Sequence, residues 1–176
     1  METRLNILKP FFEEPNREFH IREIARLTNI NHTTVRQYLN KFVKEGILEL
    51  EKGKIYSSYK LLESEKVSNL KLYCNMEKIR KSNIIQDLEK YYDYPVIVLY
   101  GSYSKAKDDV TSDIDICVIT DINKEFNVSK YEKTLNKEIN LKVFSQSSLV
   151  KLKKTNPSLI NNIANGIVLS GELEVL

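Results

Sequence analysis

A Gly-Ser pair followed ten residues later by two aspartates is the part of this chain whose residue types and spacing suit chemistry. Gly101 and Ser102 end one apolar run of β-type residues, and Asp113 and Asp115 stand at the start of the next. Alternate residues of a strand share a face, so the two carboxylates project together, roughly 6.5–7 Å apart along the strand. Carboxylate and phosphate oxygens are the ligands that Mg²⁺ prefers. A glycine lets the backbone approach a phosphate closely, and a serine adds a hydroxyl. The pattern predicts a site for a divalent metal and a polyphosphate.

Two aspartates at a strand start also cap turns, so the order of the whole set decides between the two interpretations. Strand, Gly-Ser, ten residues, Asp-x-Asp and strand resemble the minimal form of the polymerase-β-like nucleotidyltransferases over about residues 93–171. The resemblance implies transfer of a nucleoside monophosphate from an NTP, with ATP expected, to a hydroxyl group, with release of pyrophosphate. It makes Asp113 and Asp115 the catalytic ligands of Mg²⁺ or Mn²⁺. Gly101 and Ser102 would position the phosphates, and Lys105 would neutralise charge.

The third carboxylate that this family usually places on the neighbouring strand is not at its expected position. The matching segment is EINLKVF, and the matching residue is Asn140. Glu138 shares that face of the strand, but a shift of two residues moves a carboxylate by about 6–7 Å. Lys142 also shares the face and would repel a cation. Two alternatives therefore stay open: a weak or inactive transferase, and a domain that only senses a nucleotide.

The N-terminal third has the pattern of a helix-turn-helix motif followed by a hairpin. Apolar residues at helical spacing predict helices over about 3–12, 21–27 and 32–45, with Asn31 as an N-cap and Gly46 as the end of the third helix. Alternating residues on both sides of the turn at 51–54 then predict two strands. The segment 3–62 resembles the winged helix-turn-helix domains of prokaryotic DNA-binding regulators.

That resemblance implies that the third helix enters the major groove of DNA and that the hairpin contacts phosphates. Residues 1–62 carry 11 Lys and Arg against 8 Glu, which accounts for the whole net charge of +3. The binding residues that we expect are polar or basic and lie on the third helix or at the hairpin: Thr33, Thr34, Arg36, Gln37, Asn40, Lys41, Lys44, Lys52 and Lys54. A solvated helix face and a protein-binding winged helix remain the alternatives.

The chain is expected to have an α+β or α/β two-domain architecture. The domains are a winged helix with three helices and a β-hairpin at 1–62, a linking helix at 63–92, and a small mixed-sheet nucleotidyltransferase domain at 93–176. A short helix is expected within 102–110, with its N-terminus at the Gly-Ser turn. The linking helix could pack on the second domain or pair with another copy, so a homodimer stays open. An antitoxin that binds a toxin partner, and a protein that serves as the hydroxyl acceptor, are further alternatives.

The bulk composition is that of a globular protein, with 41% apolar and 29% charged residues among 176. No run of residues has the length or apolar content of a membrane helix, and the N-terminus lacks the pattern of a signal peptide. We therefore expect a cytoplasmic protein without a membrane partner. Cys74 and Cys117 lie far apart, and neither has a His or Cys at the spacing of a zinc site.

Overall fold

The computed structural model describes residues 2–53 and 56–173. By their internal packing the residues divide into two compact units, Met1–Lys71 and Leu72–Leu176. The predicted domain limits at residues 62 and 92 stay a prediction.

The N-terminal unit contains three helices and a two-stranded hairpin, as predicted. The helices are α1 (Glu2–Glu13), α2 (Ile21–Thr28) and α3 (His32–Lys44), and the antiparallel strands are β1 (Leu48–Lys52) and β2 (Ser57–Leu61). Their apolar faces meet in a core of fully buried side chains that includes Ile7, Leu8, Phe11, Phe19, Ile24, Val35, Leu39 and Phe42. Burial of these side chains is the main favourable term that holds the helices on the hairpin.

The ends of α3 follow directly from the sequence. The side chain of Asn31 accepts a hydrogen bond from the backbone N–H of Thr33 at 2.8 Å, which caps the helix start. Gly46 takes a left-handed conformation with φ +68°, which turns the chain away after the helix. Arg4 of α1 forms a two-point ion pair with Glu45, and this hydrogen bond holds the pKa of the Glu45 carboxyl below its usual value. The pair joins the beginning of α1 to the end of α3.

The linking segment is helical, as predicted, but it forms two helices instead of one. α4 (Glu65–Lys81) and α5 (Ile84–Tyr91) are separated at Ser82 and Asn83. Asn83 has φ +61°, in the left-handed region that interrupts a helix. The Ser82 hydroxyl donates to the Ile79 carbonyl at 2.6 Å and accepts from the N–H of Ile84 at 3.3 Å, so it replaces backbone bonds at the break. The prediction of one continuous helix was wrong, because serine and asparagine side chains compete for the hydrogen bonds of the helical backbone.

The C-terminal unit is built on a four-stranded mixed sheet in the order β5-β4-β3-β6. β3 (Val96–Tyr100) pairs antiparallel with β4 (Ile114–Ile119) and with β6 (Ile167–Ser170), whereas β4 pairs parallel with β5 (Ile139–Phe144). Helix α6 (Ser129–Leu135) connects the parallel strands, and α7 (Gln146–Thr155) and α8 (Pro157–Ala164) follow β5. Pro157 is the first residue of α8, where its missing N–H costs nothing.

Each face of this sheet has its own apolar cluster, because neighbouring residues of a strand alternate between faces. One cluster includes Ile97, Leu99, Ile116 and Val118 from the strands and Leu88 from α5. The other includes Val98, Tyr100, Cys117 and Ile119 from the strands and Ile163 from α8. Asp115 belongs to the second face, next to Tyr100 and Cys117.

The short helix expected within 102–110 is only a 3₁₀ turn at Tyr103–Lys105. Ala106 follows in the left-handed conformation, with φ +53°, and ends the turn. A single 3₁₀ turn does not align enough peptide dipoles to act as a helix N-terminus. The short helix is thus reduced to one turn, and phosphate binding by Gly101 and Ser102 stays a prediction.

The fold class is confirmed: helices and two sheets are mixed in one chain, with a hairpin in the first unit and a small mixed sheet in the second. Within the described residues, no helix combines the length and apolar character needed to cross a bilayer.

Candidate active site

Gly101 and Asp115 are brought into close approach by the pairing of β3 with β4. Tyr100 lies opposite Asp115 in the antiparallel register, so the glycine follows at the point where the chain leaves the sheet. Gly101 has φ +74°, and a Cβ placed on it would lie 2.1 Å from Oδ2 of Asp115. A side chain at this position would collide with the carboxylate. The glycine is therefore required both by its backbone conformation and by the space that the carboxylate occupies.

Asp115 and Asn140 form the central contact of the site. They are direct partners in the parallel pairing of β4 with β5, and the Asn140 Nδ2 donates to Oδ1 of Asp115 at 2.9 Å. Asn140 stands where the resemblance places a third carboxylate. Instead of a carboxylate, this position has an amide, which holds the Asp115 carboxylate in place by the hydrogen bond.

The pKa of the Asp115 carboxyl is raised, chiefly because the half-buried position removes it from water. The hydrogen bond from Asn140 acts in the opposite direction, the charge of Asp113 raises the pKa, and the charge of Lys142 lowers it. Asp115 is thus a partly desolvated carboxylate that feels the negative charge of Asp113 and the positive charge of Lys142. A bound cation would relieve the repulsion between the two carboxylates.

Asp113 lies just before β4 and is exposed. Glu138 is also exposed, and its backbone carbonyl accepts the N–H of Ile114 at 2.9 Å. Among the described residues, no three of the Asp, Glu, His and Cys side chains are grouped so that they could hold a metal together. Glu138 therefore does not complete a triad with the two aspartates in this structure.

The donor set fits one divalent ion better than two. Asp113 and Asp115 offer two carboxylates from neighbouring positions of one strand end, and Mg²⁺ commonly uses one or two carboxylates and completes its shell with phosphate oxygens and water. The Asn140 amide is engaged with Asp115 through its nitrogen, and Lys142 contributes a positive charge nearby. Neither residue is anionic, so neither supplies the further anionic ligand that a second ion would need.

The turn after β3 is tightly hydrogen bonded around Ser102. The carbonyl of Ser102 accepts the N–H groups of Lys105 at 3.1 Å and Lys107 at 3.0 Å, and the Ser104 hydroxyl donates to the Gly101 carbonyl at 2.9 Å. Ser102 itself is half-buried, whereas Lys105 is exposed. The structure thus brings Gly101 next to Asp115, with Ser102 following in the turn, and leaves the Lys105 side chain exposed.

A family model for polymerase beta nucleotidyltransferases matches residues 82–173, which is just over half of the chain. The chain belongs to this nucleotidyltransferase family. The matched range contains the Gly-Ser turn, both aspartates and the four strands of the mixed sheet. The family assignment confirms the polymerase-β-like part of the predicted resemblance.

Two solved structures are similar to the chain, each with 14% identity. A protein from Sulfolobus solfataricus described as a nucleotidyltransferase covers 61% of this chain and 89% of its own, with a TM-score of 0.35. The archaeal chromatin protein TrmBL2, whose structure is described as showing a novel mode of DNA binding, covers 81% of this chain, with a TM-score of 0.26. This chain spans 64% of that TrmBL2 chain. No curated protein matches the sequence.

A cavity of about 690 Å³ lies along β5, on the face of the sheet opposite Asp115 and Asn140. Its lining begins at Ile139 and Leu141 of β5 and continues to Thr120 after β4 and Ser145 after β5. Asp113, Asp115 and Asn140 all lie at the beginning of their strands. Asp115 and Asn140 project from the other face of the sheet, so this cavity is not part of the candidate active site.

The predicted nucleic-acid residues lie where the pattern placed them, on the surface of the N-terminal unit. On α3 the side chains of Thr33, Arg36, Gln37, Lys41 and Lys44 are exposed, and Thr34 is half-buried. Asn40 is exposed, but its Oδ1 accepts the Tyr59 hydroxyl at 3.2 Å, so part of its hydrogen-bonding capacity is used. Lys52 is exposed at the end of β1, and Lys54 lies outside the described residues.

The structure adds arginines from α2 that the sequence analysis missed. A cavity of about 860 Å³ is lined by Arg22 and Arg26 of α2, Arg36 of α3, and Tyr56 next to β2. In the described part of the chain none of the three arginines has a carboxylate partner, and Glu23 beside them is paired with Arg17. A count of the exposed charges on α2 could have found these residues, because Arg22 and Arg26 are four residues apart and share one face.

Proposed function

We propose that this protein transfers a nucleoside monophosphate from an NTP to a hydroxyl acceptor, with Asp113 and Asp115 as its metal ligands. The observation that carries the proposal is the close approach of Gly101 to Asp115. This approach puts a glycine turn beside the Asp115 carboxylate within the range matched by the nucleotidyltransferase family, which supports a phosphate site at the turn. The expected nucleotide is ATP, and the expected ion is Mg²⁺ or Mn²⁺.

The residues have separate parts in this proposal. Asp113 and Asp115 would hold the metal, which when bound supplies positive charge that neutralises the phosphates. The backbone at Gly101 leaves space for the polyphosphate, and the half-buried Ser102 offers its hydroxyl to a phosphate oxygen. Lys105 is exposed at the end of the turn and can approach a bound anion as a point charge.

Because of Asn140, we expect nucleotidyl transfer to be slow. An amide does not accept a proton from the attacking hydroxyl as a carboxylate does, so the acceptor is deprotonated without help from this position. The Nδ2 of Asn140 instead holds Asp115 in one orientation. We therefore propose a transferase that binds metal and nucleotide but transfers the nucleotide slowly.

Calorimetric titration tests the binding half of this proposal. Wild-type protein is titrated with ATP, GTP, CTP and UTP in the presence of Mg²⁺ or Mn²⁺, beside Asp115→Asn. The proposal expects at least one metal-dependent nucleotide isotherm that weakens at least tenfold in Asp115→Asn, because the variant removes a charged metal ligand. Absence of metal-dependent binding for every nucleotide would contradict it.

A second candidate function is a regulator that binds nucleic acid and uses the C-terminal unit only to sense a nucleotide. Its support is a cavity lined by Arg22, Arg26 and Arg36, which have no carboxylate partner among the described residues, in a unit with the helix order of a winged helix. We propose DNA as the partner, with phosphate contacts from α2 and base contacts from the start of α3. Binding as a homodimer, or to a toxin as an antitoxin, belongs to this same candidate.

A DNA-binding measurement at several salt concentrations tests this second candidate. Arg36→Ala should weaken a specific site by about 1–3 kcal/mol if Arg36 contacts a base, whereas Arg22→Ala should lower the salt dependence if Arg22 contacts a phosphate. Arg80→Ala is the matched control, since this arginine is also exposed but lies in the C-terminal unit. Unchanged binding in both test variants would remove the cavity from the DNA interface.

A further inference from the structure

Lys137 is bound to the segment that joins the Gly-Ser turn to the two aspartates. Its Nζ donates to the carbonyl oxygens of Asp109 at 2.6 Å and Ser112 at 2.8 Å, with a longer contact to Val110 at 3.4 Å. The side chain is half-buried. One ammonium group therefore holds three carbonyls of a four-residue stretch in a single arrangement, with charge-assisted hydrogen bonds.

These bonds reach the residue next to Asp113. Ser112, whose carbonyl accepts from Lys137, precedes Asp113, and Ile114, whose N–H donates to the carbonyl of Glu138, follows it. The peptide groups on both sides of Asp113 are thus bonded to two consecutive residues, Lys137 and Glu138. Asp113 is exposed, and these two contacts hold the backbone on both sides of it.

The rest of the segment is arranged so that its carbonyls can meet the ammonium. The Oδ1 of Asp109 accepts the N–H of Thr111 at 2.9 Å and the hydroxyls of Thr111 and Ser112, which folds residues 109–112 into a compact turn. Nearer to the Gly-Ser turn, the buried Asn75 donates to Oδ1 of Asp108 at 2.7 Å and to the Tyr103 carbonyl at 3.2 Å. The segment is therefore held at both of its ends.

We propose that Lys137 is a positioning residue for the metal–nucleotide site: it holds the Asp109–Ser112 turn so that Asp113 faces a cation together with Asp115. This inference rests on the proposed function, because it assigns Lys137 a role in the site where the nucleotide would bind. The residue touches neither nucleotide nor metal in this proposal. Its effect passes through the backbone before Asp113.

Lys137→Met tests the proposal, since methionine keeps the length and apolar stem of the side chain and removes the three donors. Lys133→Met is the matched control, because Lys133 lies on the preceding helix α6, is exposed, and has no hydrogen bond to the segment in the described structure. Two quantities are measured below the melting transition of each variant: amide hydrogen exchange of the peptide covering 109–115, and the Kd of Mg·ATP.

We expect about tenfold faster exchange and about tenfold weaker Mg·ATP binding in Lys137→Met, with both quantities unchanged in Lys133→Met. A role in stability alone would lower the melting temperature and leave the Kd of the folded protein at its wild-type value, and that result would overturn the inference. Wild-type protein that binds no Mg·ATP would instead contradict the proposed function itself, and the inference with it. Unchanged exchange in Lys137→Met would show that the ammonium does not hold the segment.

Discussion

Asn140 donates a hydrogen bond from its Nδ2 to Oδ1 of Asp115 at 2.9 Å, across the parallel pairing of two neighbouring strands. The contact explains how a family member can keep its second carboxylate oriented while a neutral amide stands at the third position. It also predicts what a carboxylate there would do. The amide donor of residue 140 would be replaced by a carboxylate, which would put a negative charge at hydrogen-bonding distance from Asp115.

Asn140→Asp should therefore lower stability in the absence of metal and make it depend on metal. Loss of the hydrogen bond and repulsion between the carboxylates should reduce the free energy of unfolding by about 1–3 kcal/mol in EDTA. Mg²⁺ or Mn²⁺ should restore it, because a cation bound to the native state stabilises that state by mass action. Thermal melts with and without metal measure both effects.

Asn123→Asp is the control for Asn140→Asp, since Asn123 is exposed and lies in the loop after β4, away from the carboxylates. Its melting temperature should not respond to metal more than that of the wild type. Equal metal responses of Asn140→Asp and Asn123→Asp would mean that position 140 does not belong to a metal site.

Gly101→Ala should remove metal–nucleotide binding as well as some stability. An alanine must adopt the left-handed conformation at φ +74°, which costs about 1–2 kcal/mol. Its Cβ would in addition displace the Asp115 carboxylate, because it would lie 2.1 Å from Oδ2. We expect at least tenfold weaker Mg·ATP binding by calorimetry.

Gly46→Ala separates these two effects of Gly101→Ala. Gly46 has φ +68°, and nothing lies within 4 Å of a Cβ placed on it, so the variant carries the backbone strain without a displaced carboxylate. Its stability should fall by a similar amount while Mg·ATP binding stays at the wild-type value. If Gly101→Ala also binds at the wild-type value, the close approach to Asp115 has no bearing on the site.

Tyr100→Phe should raise stability. The ring is buried under the second face of the sheet, and its hydroxyl has no hydrogen-bond partner in the part of the chain that the structure describes. Burial, together with the charge of Asp115, raises the pKa of this hydroxyl, so it stays neutral. Removing an unsatisfied buried hydroxyl should increase the free energy of unfolding by about 1 kcal/mol in denaturant melts.

Tyr92→Phe is the matched comparison for Tyr100→Phe. Tyr92 is equally buried, but its hydroxyl donates to the Lys124 carbonyl at 2.8 Å. That variant should lose about 1 kcal/mol, because a made hydrogen bond is removed. A loss of similar size in Tyr100→Phe would show that the Tyr100 hydroxyl has a partner in solution.

The sequence was sufficient for the strands that hold the site and for the ends of α3. Two apolar runs of β-type residues, with the Gly-Ser and Asp-x-Asp pairs at their ends, locate β3 and β4, and alternation of apolar residues predicts the edge strand β5. Asn31 marks the start of α3 because its side chain caps the helix, and Gly46 marks the end because its backbone adopts a positive φ. These features are predictable because they depend on residues that are close together in the sequence.

Contacts between distant segments could not be predicted in the same way. The three bonds of Lys137 join residues 25 to 28 positions apart, and nothing in the residue type distinguishes this lysine from its exposed neighbours. The break at Ser82 and Asn83 was missed because most residues around it favour a helix. The spacing of Arg22 and Arg26 is visible in the sequence, but their place in one cavity with Arg36 is not, because only the folded unit brings these segments together.

Transfer of label from [α-³²P]NTP to an acceptor tests the central claim most directly. Wild-type protein, Asp113→Asn and Asp115→Asn are each incubated with the four labelled nucleotides, Mg²⁺ or Mn²⁺, and cell lysate as the source of acceptors. We predict slow, metal-dependent labelling of a protein or nucleic acid by the wild type, and its loss in both variants, because each removes one of the two metal ligands. Labelling that persists in both variants, or no labelling by the wild type with any nucleotide and either metal, would contradict the claim that these aspartates carry a nucleotidyl transfer.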